Sequence, residues 1–391
     1  MSPHRRSTGL LSHPSAAPGL EARTVPRWVW WTPVALTALA CAVDLPTPGG
    51  VSGDALLILS SMTAACVLTL RRAVLVALLN TAAGLLFLFA RHLESDGGHA
   101  VVDFFAMLVL VWATVPLCLL RLSLDQRLRA TRRAAEYAQR AVLPPVRAWF
   151  GRTWIAVRYE AASHAAAVGG DLYVVERTPY GVRLLIGDVR GKGPDAIPAV
   201  AALVGCFREA AHHTSTLPLL AHHLDEAVIR HIREMADVRG TDPAPGEQFI
   251  TAAVAELPPD GGEVRLLSRG HCPAFLATAE GVARWEPADP GLPLGLGDLD
   301  PGPWRQESRP FAPGDLLLLC TDGLLEARDA HGAFYSPEAD LRDTWREGPP
   351  TVVDHLTHLA HRHAGGVLAD DLALIAVTVS ETGPPEGAGR D

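Results

Sequence analysis

The sequence is poor in lysine and cysteine and carries no excess of positive charge. Of its 34 basic residues only Lys192 is a lysine, and the formal net charge is −9 at pH 7. This negative balance, with the acids concentrated after residue 150, argues against nucleic acid as the main partner. Because no pair of the six scattered cysteines has the short spacing of a zinc site, we interpret all of them as reduced packing residues.

Two glycine-containing motifs lack the residues that would assign them to nucleotide chemistry. Lys192 in the run GDVRGKG is followed by glycine rather than by serine or threonine, so this run is not a phosphate-binding P-loop. The GGD motif at residues 169–171 is followed by Leu172 and Tyr173, whereas diguanylate cyclases need an acid and an aromatic residue there. We therefore reject both interpretations.

Hydrophobic residues make up 48% of the chain and are concentrated in its first third. Four apolar runs stand there, each about 17 to 20 residues long, which is close to the length that crosses a bilayer core. They extend over about Trp28 to Leu45, Val51 to Leu70, Ala73 to Ala90 and Phe104 to Leu120. A single core helix would not recur four times with such short connections. We therefore predict four transmembrane helices within residues 26–120, in contact with the lipid bilayer.

Arginines set the expected orientation of these helices. They precede the first run, fill the link between the second and third runs at Arg71 and Arg72, and follow the fourth run. The other two links carry acids and only Arg91. By the positive-inside rule both termini lie in the cytoplasm, so we predict a multi-pass protein of the cell membrane. No charged cluster marks a transport path, and the region is either a simple anchor or a sensor of a membrane-borne signal.

A juxtamembrane helical linker is predicted at residues 121–145. Its side chains recur at heptad-like spacing from Leu124 to Val142, and Pro144 and Pro145 end the helix. This pattern indicates either a weak coiled coil, which would make a homodimer, or a solvated helix near acidic headgroups. Residues 1–25 and 381–391 are predicted to be disordered.

The chain from 150 to 380 alternates predicted strands and helices. We predict strands at Trp154 to Glu160, Leu172 to Arg177, Val182 to Asp188, Phe249 to Leu257, Glu263 to Leu267, Leu316 to Cys320 and Leu372 to Val379. The predicted helices are Asp195 to His212, Thr216 to Ala236, Pro337 to Arg346 and Thr351 to His363. Because helices come in pairs between groups of strands, an α+β domain with layered sheets fits better than a doubly wound parallel sheet.

Four acidic motifs in this domain carry the chemistry. They are GGDLY from Gly169, LIGDVRGKG from Leu185, LLLLCTDGLLEAR from Leu316 and ADDLALIAV from Ala369. In three of them an apolar, strand-like run adjoins an aspartate, so several carboxylates can meet at one edge of a sheet. Oxygen ligands of this kind suit Mg²⁺ or Mn²⁺, and two such ions can activate a water and hold a phosphoryl group. The sequence therefore predicts a metal-dependent phosphate hydrolase.

An ordered series of six motifs resembles the PPM-type, metal-dependent serine/threonine protein phosphatases. The motifs are GGDLY, GDVRGKG, RGHCPAF, GLPLGL, TDGLLEAR and ADDLALIAV. The resemblance covers about Arg152 to Val379 and is closest to the SpoIIE-like bacterial branch, typified by the stage II sporulation phosphatase. It implies a layered α-β-β-α sandwich, here preceded by an all-α transmembrane region.

The resemblance also implies two bound ions, Mn²⁺ or Mg²⁺, and roles for individual residues. Asp188 and Asp322 would be the catalytic residues. Asp188 would bridge both ions, Asp171 and the backbone carbonyl of Val189 would complete one ligand set, and Asp322 and Asp370 the other. The residues expected around these ligands are Asp371, Gly170, Gly191 and His271.

Some residues leave alternatives open or depart from the family pattern. His271 either shapes the loop near the site or caps a turn, and Asp370 is interpreted as a ligand rather than as part of a solvated turn. Val174 stands where the family usually has an acid, and Ser268 and Arg269 stand where it usually has Asn-Ala before Gly-His. We expect these departures to affect substrate choice and turnover more than metal binding.

The combined prediction is a membrane-anchored protein-serine/threonine phosphatase. It would hydrolyse phosphoserine or phosphothreonine on a small regulatory protein, such as an anti-sigma-factor antagonist, by a water that two metal ions activate. The alternative is a catalytically weak, phosphatase-like signalling module that binds a partner and relays a membrane signal. Retention of Asp171, Asp188, Asp322 and Asp370 favours the enzyme.

Overall fold

The chain divides into two compact units, Met1–Ala130 and Thr131–Asp391. The structure, a computed structural model, describes residues 27–44, 53–92, 98–161, 169–190, 196–240, 248–299 and 302–384. The segment predicted to be disordered at residues 1–25 lies outside the described residues, as does the tail beyond residue 384.

All four predicted apolar runs are helical in the described residues. After a 3₁₀ turn at Arg27–Trp31 come α1 (Thr32–Asp44), α2 (Asp54–Val67), α3 (Leu70–His92) and α4 (Gly98–Val142). Two stretches in the described part of the chain are long and apolar enough to cross a membrane, Leu70–Ala90 and Val101–Arg127, whereas the helices Trp28–Asp44 and Asp54–Val67 are shorter.

The helix boundaries correct one detail of the sequence analysis and confirm another. Arg71 and Arg72 lie in the first turn of α3 and not in a link, because only Leu68 and Thr69 separate α2 from α3. The fourth apolar run and the predicted linker form one continuous helix, α4, which contains Pro116. Its end at Val142, just before the Leu143-Pro-Pro sequence, confirms the predicted helix stop.

Buried polar side chains join the first three helices. The Nδ2 atom of Asn80, which is fully buried in α3, donates to the hydroxyls of Ser60 (3.1 Å) and Ser61 (2.8 Å) in α2. Its Oδ1 accepts from the Thr37 hydroxyl of α1 at 2.6 Å. These hydrogen bonds satisfy the buried hydroxyl and amide groups and so fix how the three otherwise apolar helices pack.

The described residues of the second unit form two antiparallel sheets. Its strands are β1 (Arg147–Phe150), β2 (Thr153–Glu160), β3 (Asp171–Thr178), β4 (Gly181–Val189), β5 (Ile250–Leu257), β6 (Gly262–Arg269), β7 (Ala274–Thr278), β8 (Gly281–Trp285), β9 (Glu307–Phe311), β10 (Leu316–Cys320) and β11 (Leu372–Val379). Its further helices are α5 (Ala196–His213), α6 (Leu217–Arg239), α7 (Asp322–Leu325), α8 (Glu338–Thr344) and α9 (Pro349–His363).

The layers follow the predicted α-β-β-α order. One sheet has the strand order β1-β2-β11-β10-β7-β8 and the other β3-β4-β5-β6-β9. Helices α8 and α9 pack on the first sheet, and α5 and α6 on the second. Residues of both sheets, such as Val157 and Leu317 on one side and Leu184 and Val254 on the other, share a single buried core.

The strand β10 shows why the sequence of a central strand in this sandwich is an unbroken apolar run. Leu317 and Leu319 point into the core between the sheets, whereas Leu316, Leu318 and Cys320 belong to the core under α8 and α9. Successive side chains of a strand lie on opposite faces, so a strand buried on both faces carries apolar residues at every position.

All seven predicted strands are present, but four short ones are not in the prediction. Strand β9 contains Pro310, which argues against a strand from sequence, yet β9 lies at the edge of its sheet, where proline is tolerated. Strands β7 and β8 form a short hairpin of five residues each, and β1 has only four. Segments this short carry too few residues to show a period.

Candidate metal centre

Three aspartates from three different elements meet where the two sheets come together. Asp171 is the first residue of β3, Asp188 lies near the end of β4, and Asp322 follows β10 as the first residue of α7. Each offers a carboxylate oxygen, and these oxygens lie within 4.8 Å of one another. The predicted convergence of Asp171, Asp188 and Asp322 is therefore present.

The strand register produces the first pair of this cluster. Asp171 and Asp188 are direct partners in the antiparallel pairing of β3 with β4. Partners of this kind project to the same face of the sheet at short distance, and like charges in such a pair repel each other. The fold therefore forces two carboxylates together at the point where Asp322 adds a third.

Asp171 is the most deeply buried carboxylate of the three, so its charged form is the most costly. Its side chain is only 2% exposed, whereas Asp188 and Asp322 are partly exposed. Burial raises the pKa of Asp171 well above its usual range, and the neighbouring charge of Asp188 adds to this. A hydrogen bond from Thr321 acts in the opposite direction. Three ionised carboxylates at this spacing need positive charge beside them.

Hydrogen bonds between the two sheets hold the cluster. The Thr321 hydroxyl, between β10 and α7, donates to Oδ2 of Asp171 at 2.6 Å. The backbone N–H of Gly170 donates to Oδ2 of Asp371 at 3.0 Å, and the carbonyl of Gly170 accepts from the N–H of Val189 at 3.0 Å. Gly170 and Asp371 thus lie beside the three clustered aspartates.

Two glycines allow this close approach. A Cβ atom at Gly169 would lie 2.2 Å from Oδ2 of Asp371 and 2.4 Å from the hydroxyl oxygen of Tyr159. A Cβ atom at Gly323 would lie 1.8 Å from the carbonyl oxygen of Asp371. Any larger residue at either position would push Asp371, which is 4% exposed, away from the cluster.

His271 joins the ends of β5 and β10. Its Nε2 lies 3.1 Å from the carbonyl oxygen of Cys320, and its Nδ1 lies 3.1 Å from the hydroxyl of Thr251. A carbonyl oxygen only accepts, so Nε2 carries a proton and donates to Cys320. Because Thr251 is the β5 partner of Asp188, the imidazole shapes the strand ends around the site.

The other predicted site residues are less closely tied to the cluster. Asp370 is partly exposed, and its Oδ1 accepts from the N–H of Asp371 at 2.9 Å. Asp370 does not belong to the three-carboxylate group found among the described residues. Val189 ends β4 directly after Asp188. Gly191 lies outside the described residues.

The two departures from the family pattern have structural explanations. Val174 is 3% exposed and lies on the same face of β3 as Glu176, which pairs with Arg208 of α5, so an acid there would be buried under this helix at a cost. Arg269 is also 3% exposed, and its guanidinium carbon lies 3.7 Å from the ring centroid of Trp304. The Arg269 side chain is thus folded into the protein and stacks on an aromatic ring.

Two functional contacts are missing from the sequence prediction. Thr321 and Thr251 each place a hydroxyl against a site residue, Asp171 and His271 respectively. A sequence signal exists only for Thr321, which is a hydroxyl residue between a buried strand and Asp322. Thr251 shows no signal, because its pairing with Asp188 depends on the register of β4 with β5.

Comparison with known proteins supplies a relative of this chain. The Bacillus subtilis (strain 168) phosphoserine phosphatase RsbU is 26% identical over 175 residues, which is 44% of this chain and 48% of RsbU. The chain therefore spans about half the length of this curated relative.

Two solved structures share the fold. The SiaA-PP2C domain of Pseudomonas aeruginosa superposes with a TM-score of 0.53 at 18% identity, over 66% of this chain and 98% of that one. A structure of the RsbU and RsbW domains of a Mycobacterium tuberculosis protein gives a TM-score of 0.50 at 24% identity, over 62% of this chain and 64% of that one. These similarities establish the PP2C-type fold.

The family comparison covers the larger part of the second unit. The sequence model described as Stage II sporulation protein E (SpoIIE) matches residues 178–380, just over half of the chain. This range includes Asp188, Asp322 and Asp371 and begins seven residues after Asp171. The chain belongs to the SpoIIE family.

Proposed function

We propose that the chain is a metal-dependent protein phosphatase that hydrolyses phosphoserine or phosphothreonine. The observation that carries this proposal is the cluster of Asp171, Asp188 and Asp322, whose carboxylate oxygens lie within 4.8 Å of one another. Membership of the SpoIIE family and similarity to a phosphoserine phosphatase support the same reaction.

The donor set fits Mn²⁺ or Mg²⁺. It consists of carboxylates, with one backbone carbonyl expected from Val189, and hard divalent cations prefer such oxygen ligands. The raised pKa of Asp171, which burial and then Asp188 cause, fits a site whose carboxylates ionise together when a cation is present. When bound, two such ions would supply Lewis-acid stabilisation of a phosphoryl group and a water of lowered pKa.

Each protein residue of the site would have a separate task. Asp171, Asp188 and Asp322, together with Asp370 and the backbone carbonyl of Val189, would hold the two ions. Asp371 would hold the backbone of Gly170 and so the start of β3, through its 3.0 Å hydrogen bond. His271 would keep the ends of β5 and β10 together and would not contact an ion directly.

The proposed substrate is a small phosphorylated regulatory protein, such as an anti-sigma-factor antagonist. The support comes from the relatives, one of which is named a phosphoserine phosphatase and another of which contains an RsbW domain beside its RsbU domain. The partly exposed positions of Asp188 and Asp322 would leave the site accessible to a phosphoserine side chain on a protein surface.

The first unit is proposed to be a four-helix membrane anchor with both termini in the cytoplasm. Two stretches of sufficient length, the exposed leucines and phenylalanines along α3 and α4, and the arginine asymmetry support this. In a cysteine-free background, a cysteine near Gly97 should label from outside the cell and one near Arg72 should not. Equal labelling of both would contradict the arrangement.

We further propose that two copies of the chain dimerise through α4. The rotational orientation of this helix would then control the activity of the phosphatase domain. Insertion of one to four residues between Arg129 and Arg133 would rotate the C-terminal part of α4 relative to its N-terminal part, by about 100° per residue. Activity that varies periodically with insertion length would support a sensor. Constant activity would leave the helices as an anchor only.

The direct test of the function uses the full chain and a phosphoserine peptide with Mn²⁺. We expect phosphate release that EDTA abolishes and added Mn²⁺ restores. The variant Asp188→Ala should release no phosphate, while Asp343→Ala, an exposed aspartate on α8, should match the wild type. Phosphate release by the wild type in excess EDTA would refute metal-dependent catalysis.

A further inference from the structure

Thr321 occupies an unusual position for a helix-capping residue. It is fully buried between β10 and α7 and is the N-cap of α7, with extended backbone angles (φ −85°, ψ 170°). Threonine at this position usually accepts a hydrogen bond from the first turn of its helix. Thr321 makes no such side-chain cap bond. Its hydroxyl is therefore used for something other than the stability of α7.

The partners of the hydroxyl fix the direction of its proton. The backbone N–H of Ala373, in β11, donates to Oγ1 of Thr321 at 2.8 Å, and the N–H of Thr321 donates to the carbonyl of Ala373 at 3.0 Å. Since Oγ1 already accepts from Ala373, its single proton is available to Oδ2 of Asp171, 2.6 Å away. The hydroxyl thus connects the first sheet with an aspartate of the second.

We propose that Thr321 is a positioning residue that orients the carboxylate of Asp171 for cation binding. The inference rests on the proposed function only in taking Asp171 as a ligand. One oxygen of Asp171 is held by Thr321, which restricts rotation of the carboxylate, and the hydroxyl is itself held by the backbone of β11. Residues that orient metal ligands in this way contribute measurably to metal affinity.

The test measures Mn²⁺ binding to the full chain by isothermal titration calorimetry. Thr321→Val removes the hydroxyl at nearly constant volume, and we expect Mn²⁺ affinity to fall roughly 10- to 100-fold. Thr321→Ser keeps the hydroxyl and should bind Mn²⁺ within about threefold of the wild type, the conservative variant thereby restoring affinity. Thr357→Val, which removes another buried hydroxyl but in α9, should leave the affinity unchanged.

A second pair of variants covers the case in which Thr321→Val does not fold. Serine and cysteine are nearly equal in size, but the thiol is a weak donor. Thr321→Cys should therefore show the affinity loss and Thr321→Ser should not. In activity assays the Mn²⁺ concentration for half-maximal rate should rise in Thr321→Cys, while the KM for a phosphoserine peptide at saturating Mn²⁺ should stay constant.

The possible failures are distinguishable. Wild-type affinity in Thr321→Val and Thr321→Cys, or equal loss in Thr321→Ser, would overturn the inference and leave the proposed function intact. A wild-type chain that binds no Mn²⁺ would overturn the proposed function and this inference together.

Discussion

The two ends of β4 carry different pairs of charged residues. Near its start Arg183 pairs across the ladder with Glu256 of β5, and both are at most 1% exposed. Near its end Asp188 pairs with Asp171 of β3, so that two negative charges face each other. The same strand therefore carries one ion pair whose charges cancel and one pair whose charges add.

The Arg183 pair is satisfied within the protein. Its Nε donates to Oε2 of Glu256 at 2.7 Å, and Nη1 donates to the carbonyls of Ala211 (2.8 Å) and Thr214 (2.6 Å). The other oxygen of Glu256 accepts from Arg265 at 2.7 Å. Buried ions are tolerated when each is paired and hydrogen-bonded in this way.

The aspartate end is held by neutral donors. Asp171 accepts a hydrogen bond from the Thr321 hydroxyl, and Asp371 accepts one from the backbone of Gly170. The comparison teaches that the fold pairs opposite charges at one end of β4 and concentrates charge of one sign at the other, where we propose that cations bind. Four predictions, from the largest effect to the smallest, test this difference.

The largest effect is expected for Asp188→Ala. Removal of the carboxylate that faces Asp171 should reduce phosphatase activity to the background of buffer, because the proposed metal site loses one of its ligands. The fold should persist, since the change relieves repulsion between like charges. Phosphate release and circular dichroism check the two parts, and an unfolded variant would contradict the comparison.

Arg183→Met should have the opposite profile. It leaves Glu256 buried with only part of its compensation, and we expect a loss of about 3 to 5 kcal/mol in the free energy of unfolding. Denaturant titration measures this, with Arg284→Met on the exposed strand β8 as the matched control. Activity per folded molecule and Mn²⁺ affinity should not change. Stability equal to that of the control would show that the buried pair is dispensable.

Metal removal should lower the stability of chains that keep Asp188 and should not affect a chain that lacks it. At Mn²⁺ concentrations about 100 times its dissociation constant, binding to one site should stabilise the folded chain by about 2.7 kcal/mol. EDTA should lower the melting temperature of the wild type accordingly. Asp188→Ala should melt at the same temperature with and without Mn²⁺, and Arg183→Met should respond to Mn²⁺ as the wild type does.

The smallest effect is expected at Tyr173, two residues after Asp171 on β3. Its hydroxyl donates to the carbonyls of Leu143 and Pro144, both at 3.0 Å, and burial raises its pKa to about 12, so it stays protonated at working pH. Tyr173→Phe should cost about 1 kcal/mol of stability in denaturant titration. Tyr137→Phe, at an exposed tyrosine of α4, is the control. A larger loss accompanied by weaker Mn²⁺ binding would tie the chain after α4 to the metal centre.

The sequence predicts the elements of this domain better than the contacts between them. Runs such as Leu316–Cys320 identify central strands, because a strand buried on both faces needs apolar residues throughout. The convergence of Asp171, Asp188 and Asp322 follows from aspartates next to such runs and from the family resemblance. Proline in β9 and the shortness of β1, β7 and β8 hide these four strands from a reading of the sequence.

The contacts that hold the site are harder to predict, because they join distant parts of the chain. Thr321 and Asp171 are 150 positions apart, and Gly170 and Asp371 are 201 apart. These contacts depend on how two sheets stack and on strand register, which no local pattern contains. The Thr321 hydroxyl donates to Asp171 and does not cap α7, and this choice of partner can be seen only in the three-dimensional structure.

The most direct test of the account is the number of metal ions that the full chain binds. Equilibrium dialysis against Mn²⁺, followed by metal quantification, should give two ions per wild-type chain and fewer than one per chain of Asp188→Ala. The variant Arg183→Met, altered at the other end of the same strand, should still bind two. No bound Mn²⁺ in the wild type, or equal binding by Asp188→Ala, would contradict the claim that this carboxylate cluster is a metal centre.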